Sequence, residues 1–151
     1  VYDPTAGFVT GGGWSWSPLG AYAADPTLEG KANFGFVAKY KKGTNVPEGN
    51  TEFKFKAGNL NFHSDTYEWL VVAGAKAMFK GVGTINGEGS YKFMLTAIDG
   101  DLKGAADTFR IRIWTEEDGN ELTVYDNQMD DAIDADAMTE LCGGSIIIHK
   151  Q

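Results

Sequence analysis

Hydrophobic and polar positions alternate with period two along most of this chain. In Lys31–Tyr40, Phe34, Phe36, Ala38 and Tyr40 share one face, while Lys31, Asn33, Val37 and Lys39 share the other. Thr51–Ala57 sets Phe53 and Phe55 against Glu52, Lys54 and Lys56. Ser90–Ile98 sets Tyr91, Phe93, Leu95 and Ala97 against Ser90, Lys92, Met94 and Thr96, and Thr108–Trp114 sets Phe109, Ile111 and Ile113 against Arg110, Arg112 and Trp114. All four have the period of strands, and Thr51–Ala57 has the pattern of a sheet with one wet face. Further strands are expected at Gly7–Thr10, Asn59–His63, Glu68–Val72, Lys76–Ile85, Leu122–Tyr125 and Ser145–His149.

The connections carry turn chemistry. Asn86-Gly87, Asp99-Gly100 and Asp118-Gly119-Asn120 read as hairpin loops that need positive φ, and Pro47-Glu48-Gly49-Asn50 reads as another turn. Only Asp130–Leu141, with its alanines and methionines, looks able to form a helical turn or two. The expected fold is all-β: an antiparallel β-sandwich or flattened barrel of about ten strands with one short helical segment after Met129. No repeat or linker divides residues 1–151, which read as a single domain.

Composition changes this picture in two ways. A hydrophobic fraction of 42% in 151 residues is enough for a real core, yet no apolar run approaches a membrane span. The net charge of -8 is uneven: residues 1–96 balance to +1 and residues 97–151 to -9. Nucleic-acid binding needs a basic footprint, so that partner class is not expected. The single Cys142 excludes an internal disulfide and a cysteine-rich zinc site. The chain opens Val1-Tyr-Asp-Pro4 without a starter Met or signal peptide, the start expected of an excised domain or a mature fragment.

The candidate chemistry lies in carboxylates and indoles. Asp126–Glu140 carries six carboxylates and no Lys, Arg or His, and such crowding calls for water, salt or a cation. Calcium takes six to eight oxygens, and Asp126, Asn127, Asp130 and Asp131, with Asp99 and Asp101 from another turn, form the expected ligand set. The spacing does not match the twelve-residue calcium loop, so a solvated acidic surface is the competing expectation. Asp126 and Asp99 stand out because each ends a hydrophobic strand beside a turn.

Trp14 and Trp16 place two indoles on one side of an extended segment, and Trp69 lies in another strand; these three are the candidate ligand-binding residues, for a surface polysaccharide. Core packing is the ordinary fate of Trp in a small all-β domain. His63 and His149 have no zinc spacing, and Cys142 has no evident base. The pairs Glu116-Glu117 and Asp130-Asp131 sit on adjacent positions that point to opposite faces of a strand, a poor start for a glycosidase.

Several strings resemble a known family: Gly7-Phe-Val-Thr-Gly-Gly-Gly-Trp14, Gly30-Lys-Ala-Asn-Phe-Gly-Phe-Val37, Leu60-Asn-Phe-His63, Trp69-Leu-Val-Val-Ala-Gly-Ala75, Leu95-Thr-Ala-Ile-Asp-Gly100, Phe109-Arg-Ile-Arg-Ile-Trp114, Tyr125-Asp-Asn-Gln128 and Gly143-Gly-Ser-Ile-Ile-Ile-His149. In order along nearly the whole chain, they resemble the post-COAP domain of secreted bacterial "choice-of-anchor" type surface proteins. Ser15 departs from that pattern, where a branched aliphatic residue is expected. The resemblance implies an extracellular or cell-surface location and a non-catalytic accessory or adhesion domain. With the acidic segment, the expectation is such a domain stabilised by calcium, with a polysaccharide or another protein as partner. The alternatives are a carbohydrate-binding module with an aromatic platform, a small glycoside hydrolase, and a subunit that self-assembles through open sheet edges.

Overall fold

The computed structural model describes residues 7–40, 47–100, 104, 106–129, 131–133 and 135–149. Among these, ten strands form: β1 (Phe8–Ser17), β2 (Gly30–Tyr40), β3 (Pro47–Phe55), β4 (Leu60–Ala73), β5 (Lys76–Ile85), β6 (Glu88–Ile98), β7 (Thr108–Glu117), β8 (Asn120–Asp126), β9 (Thr139–Glu140) and β10 (Gly143–His149). They make one antiparallel sheet in the order β10-β1-β2-β3-β4-β5-β6-β7-β8, with β9 beside β7. The expected all-β antiparallel architecture is realised as a single sheet curled into a half-barrel.

The alternation in sequence decides which face curls inward. Phe34, Phe36 and Ala38 of β2, Phe53 and Phe55 of β3, Phe93, Leu95 and Ala97 of β6, and Phe109, Ile111 and Ile113 of β7 are all buried. Burying one such side chain contributes roughly 1.5–3 kcal/mol. The curl brings distant strands together: Phe34 stacks on Phe109 with centroids 4.2 Å apart, and Phe53 meets Tyr125 of β8 at 4.7 Å.

Polar groups inside this core are paired. The Tyr67 hydroxyl donates to the Val37 carbonyl and shares a 2.8 Å hydrogen bond with Thr51, and the Tyr125 hydroxyl meets Ser17 at 2.6 Å. Burial pushes the Tyr67 hydroxyl up to about 12, hydrogen bonds from Thr51 and Ser64 offsetting part of the rise. Burial pushes Tyr125 up as well, with Ser17 opposing. Both shifts favour the neutral phenol in the folded state. Their stabilisation is therefore complete below about pH 10, where unfolded tyrosines ionise, and is lost as pH rises through the folded values. Stability is expected to fall above pH 10 by up to about 1.4 kcal/mol per pH unit for each residue. Urea melts between pH 8 and 12 check this: Tyr67→Phe should show a shallower decline, and an equal slope would exclude Tyr67 as a cause.

Both edges of the curled sheet are covered at specific positions. On β10, the backbone N–H groups of Ile146 and Ile148 donate to the carboxylates of Asp107 and Asp99, at 2.7 and 2.9 Å. On β8, the segment after β1 pairs instead: Ala23 N–H donates to the Val124 carbonyl, and Asp126 N–H to the Ala21 carbonyl. These contacts occupy groups that would otherwise template another chain.

Four local expectations need correction. Asn59–His63 and Glu68–Val72 are one strand, β4, in which Asp65 and Glu68 are extra residues at two register shifts. Gly81 and Gly83 lie opposite these irregularities, where a Cβ would fall 2.2 Å from the Thr66 carbonyl and 2.3 Å from the His63 carbonyl. Pro47–Asn50 is not a turn but the start of β3, paired from Tyr40↔Pro47 to Val37↔Asn50; a strand's first residue is a position that tolerates proline. Asp99-Gly100 does not make a tight hairpin, because Asp99 is turned to the β10 edge. No helix follows Met129 among the described residues, and the helical content described is one 3-10 turn at Lys56–Gly58. Asn86-Gly87 and Asp118-Gly119 do adopt positive φ at both residues, as their hairpins require.

Candidate functional site

The acidic segment is organised by an arginine. Arg110 is the third residue of β7, on the outer face, and only 2% exposed. Its Nε and Nη2 donate to the two carboxylate oxygens of Asp126 at 3.0 and 2.8 Å, a bidentate pair. The same guanidinium donates through Nη1 to the Ala132 carbonyl and through Nη2 to the Asp131 carbonyl. Two carbonyls of the segment are thereby tied to a strand, while the Ala132 carbonyl also accepts the Ala135 N–H in a local turn.

The other expected calcium ligands are placed as follows. Asp126 Oδ1 also accepts the Gln128 N–H. Asn127 Oδ1 accepts the Ile111 N–H, and its amide donates to the Phe109 carbonyl and Thr139, so this side chain completes the edge of β7 where β8 departs. Asp131 accepts from Gln128, and Asp99 holds β10. Asp101 and Asp130 lie outside the described residues. A calcium ion at Asp126 or Asn127 would compete with partners already there, the Arg110 guanidinium on the carboxylate and the Ile111 N–H on the amide oxygen. Among the described residues no group of three or more His, Cys, Asp or Glu is arranged to hold a metal.

The indoles divide between two places on the outer face of the sheet. Trp14 and Trp16 do share one side of β1, since the intervening Ser15 and the following Ser17 are buried on the other. Trp16 is 52% exposed at the end of the strand. Trp14 is half-buried and held in place: Lys31 Nζ lies 4.8 Å from its ring centroid, and a Cβ at Gly143 would come within 2.7 Å of its Nε1.

Beside Trp14 runs a trough of about 410 Å³, lined by Trp14, Asn33, Gly35, Glu52 and Lys54. Register explains the grouping, because Trp14 pairs with Asn33, Asn33 with Lys54, and Gly12 with Gly35 opposite Glu52. Gly13 and Gly35 line the trough, and Gly12, paired with Gly35 on β1, continues a strip without side chains; Gly13 has positive φ and a Cβ there would fall 2.0 Å from the Gly143 carbonyl, so its glycine has an internal cause. A Cβ on Gly35 would meet nothing within 4 Å, and one on Gly12 only the Phe34 carbonyl at 3.8 Å. Neither glycine has positive φ. Nothing among the described residues therefore requires glycine at either position, although glycine in a strand interior costs about 0.5–1 kcal/mol. Glu52 reaches His63 at 3.4 Å on the next strand.

Trp69 belongs to a second concavity of about 500 Å³ with Met78, Met94 and Trp114, at the opposite half of the same face. His149 stacks on Phe8, Glu116 pairs with Lys92, and Cys142 is exposed. Reasoning from sequence missed Arg110, Gly12 and Gly35. Two cations alternating with apolar residues in the acidic half, Arg110 and Arg112, were a usable signal that one of them meets the carboxylates. The glycines had none until register placed them side by side.

No helix is long and apolar enough to cross a membrane among the described residues. No protein-family model matches the chain, and comparison with curated proteins and with solved structures finds no match either.

Proposed function

We propose that this chain is a non-catalytic binding domain whose ligand is a polysaccharide laid across the trough at Trp14 and Gly35, serving as an accessory or adhesion domain at a cell surface. The observation that carries the proposal is the pair of adjacent glycines, Gly12 and Gly35, which satisfy no steric or backbone need among the described residues. Glycine inside a strand is expected where another molecule approaches the backbone closely. Trp14 supplies a flat apolar wall for a sugar ring, and Asn33, Glu52 and Lys54 supply an amide, a carboxylate and an ammonium for its hydroxyls. This is the mix of apolar wall and few convergent polar groups that ligand sites use. Glu52 is the one carboxylate lining the trough among the described residues, whereas glycoside hydrolysis uses two flanking the bond. The accessory role and the surface location rest on the resemblance of the sequence strings.

Affinity electrophoresis through gels containing neutral β-glucan, mannan, xylan or polygalacturonate tests the proposal. The wild-type chain should be retarded by at least one polymer, and Trp14→Ala should weaken that retardation about tenfold, the loss of one stacking contact of roughly 1.4 kcal/mol. Equal retardation of the two proteins would remove Trp14 from the site.

A further inference from the structure

The second concavity has a chemistry of its own. Its base is a cross-strand row on the outer face, Trp69↔Lys80↔Met94↔Arg112, running over β4, β5, β6 and β7. Met78 and Trp114 flank that row, and Ile133 of the acidic segment forms a wall that Arg110 holds in place through the neighbouring Ala132 carbonyl. The space, about 500 Å³, is within the range of small-molecule sites.

Three observations give the space a sign. Lys80 makes no ion pair within 4 Å among the described residues, and its ammonium lies 5.6 Å from the Trp114 ring centroid. The Arg112 guanidinium lies over the same ring at 4.7 Å, its charge met by the half-exposed Glu121. Trp114 Nε1 is the one buried side-chain nitrogen or oxygen without a hydrogen-bond partner among the described residues. An N–H donor left without an acceptor adds partial positive charge to the wall it belongs to. Lys80 and Arg112 thus border an apolar, thioether-rich base, with Glu121 beside Arg112 as the carboxylate among the lining residues and Lys80 left as the cation with no ion pair among the described residues, in a protein of net charge -8.

We propose that this concavity binds a small apolar carboxylate, its aromatic or aliphatic body against Trp69, Met78 and Met94 and its carboxylate toward Lys80. Thioethers and indoles accommodate such bodies without a fixed shape, and an ammonium beside an apolar base selects the ionised head. The site lies on other strands than the trough and does not depend on the polysaccharide proposal.

Titration of 15N-labelled protein with 4-phenylbutyrate, followed at the four indole N–H resonances, tests it. Trp69→Phe and Trp14→Phe assign two of the signals. Saturable shifts should be confined to Trp69 and Trp114, the uncharged 4-phenylbutyramide should bind at least tenfold more weakly, and Lys80→Gln should bring the acid to the level of the amide. Gly35→Val, a change in the trough, should leave the titration unaltered. Equal binding of acid and amide, or an unchanged affinity in Lys80→Gln, would overturn the assignment. Shifts spread over all four indoles, or no saturation, would overturn it too.

Discussion

Replacing Arg110 with methionine is expected to cost about 3–5 kcal/mol of folding stability, the usual loss when one partner of a buried ion pair is removed. Arg110 and Asp126 are 2% and 3% exposed, so the abandoned carboxylate keeps its desolvation penalty and loses its counter-charge. The carbonyls of Asp131 and Ala132 lose their donor at the same time. In a domain of this size the melting temperature should fall by about 10 °C. Adding Asp126→Asn to Arg110→Met should restore a large part of the loss, because the asparagine is neutral and still accepts the Gln128 N–H. A single-variant loss under about 1 kcal/mol would show that the pair is solvated and does not organise the segment. The concavity beside Trp69 should weaken with it, since Ile133 is held there through this anchor.

The strands with strict alternation were legible because one rule governs them. Lys31–Tyr40, Thr51–Ala57, Ser90–Ile98 and Thr108–Trp114 each bury the set of residues that period two assigns inward, apart from the half-buried Tyr91. The rule fails where an extra residue enters. Asp65 and Glu68 each reset the phase of β4, so a 14-residue strand reads as two short ones. Pro47–Asn50 carries turn residues yet starts a strand, since its place is decided by pairing with β2 and not by local preference. The partners of the acidic segment were hidden for a related reason: Arg110 meets Asp126 and Lys76 meets Asp136, both cations lie on strands that precede the segment, and composition within a window cannot show a partner outside it. Trp14, Trp16 and Trp69 were recognisable as candidates by residue type, but their division between two places follows from strand order.

Gly35→Val is the change expected to separate folding from binding most cleanly. Valine at this position meets no internal atom within 4 Å of its Cβ, sits at a φ open to ordinary residues, and is a better strand former than glycine. Stability should therefore hold or rise by up to about 1 kcal/mol. The same isopropyl group stands up from the floor of the trough between Gly12 and Glu52, where a sugar ring would have to lie. A ligand displaced from the floor also leaves the Trp14 wall, so the loss of affinity should exceed that of removing the indole alone.

The decisive measurement is the dissociation constant of Gly35→Val for the polymer that retards the wild-type chain, taken together with its melting temperature. The trough account predicts affinity weakened by more than about tenfold at an equal or higher melting temperature. Unchanged affinity in a fully folded Gly35→Val protein would contradict it, and would mean that the glycine strip is not where the ligand lies.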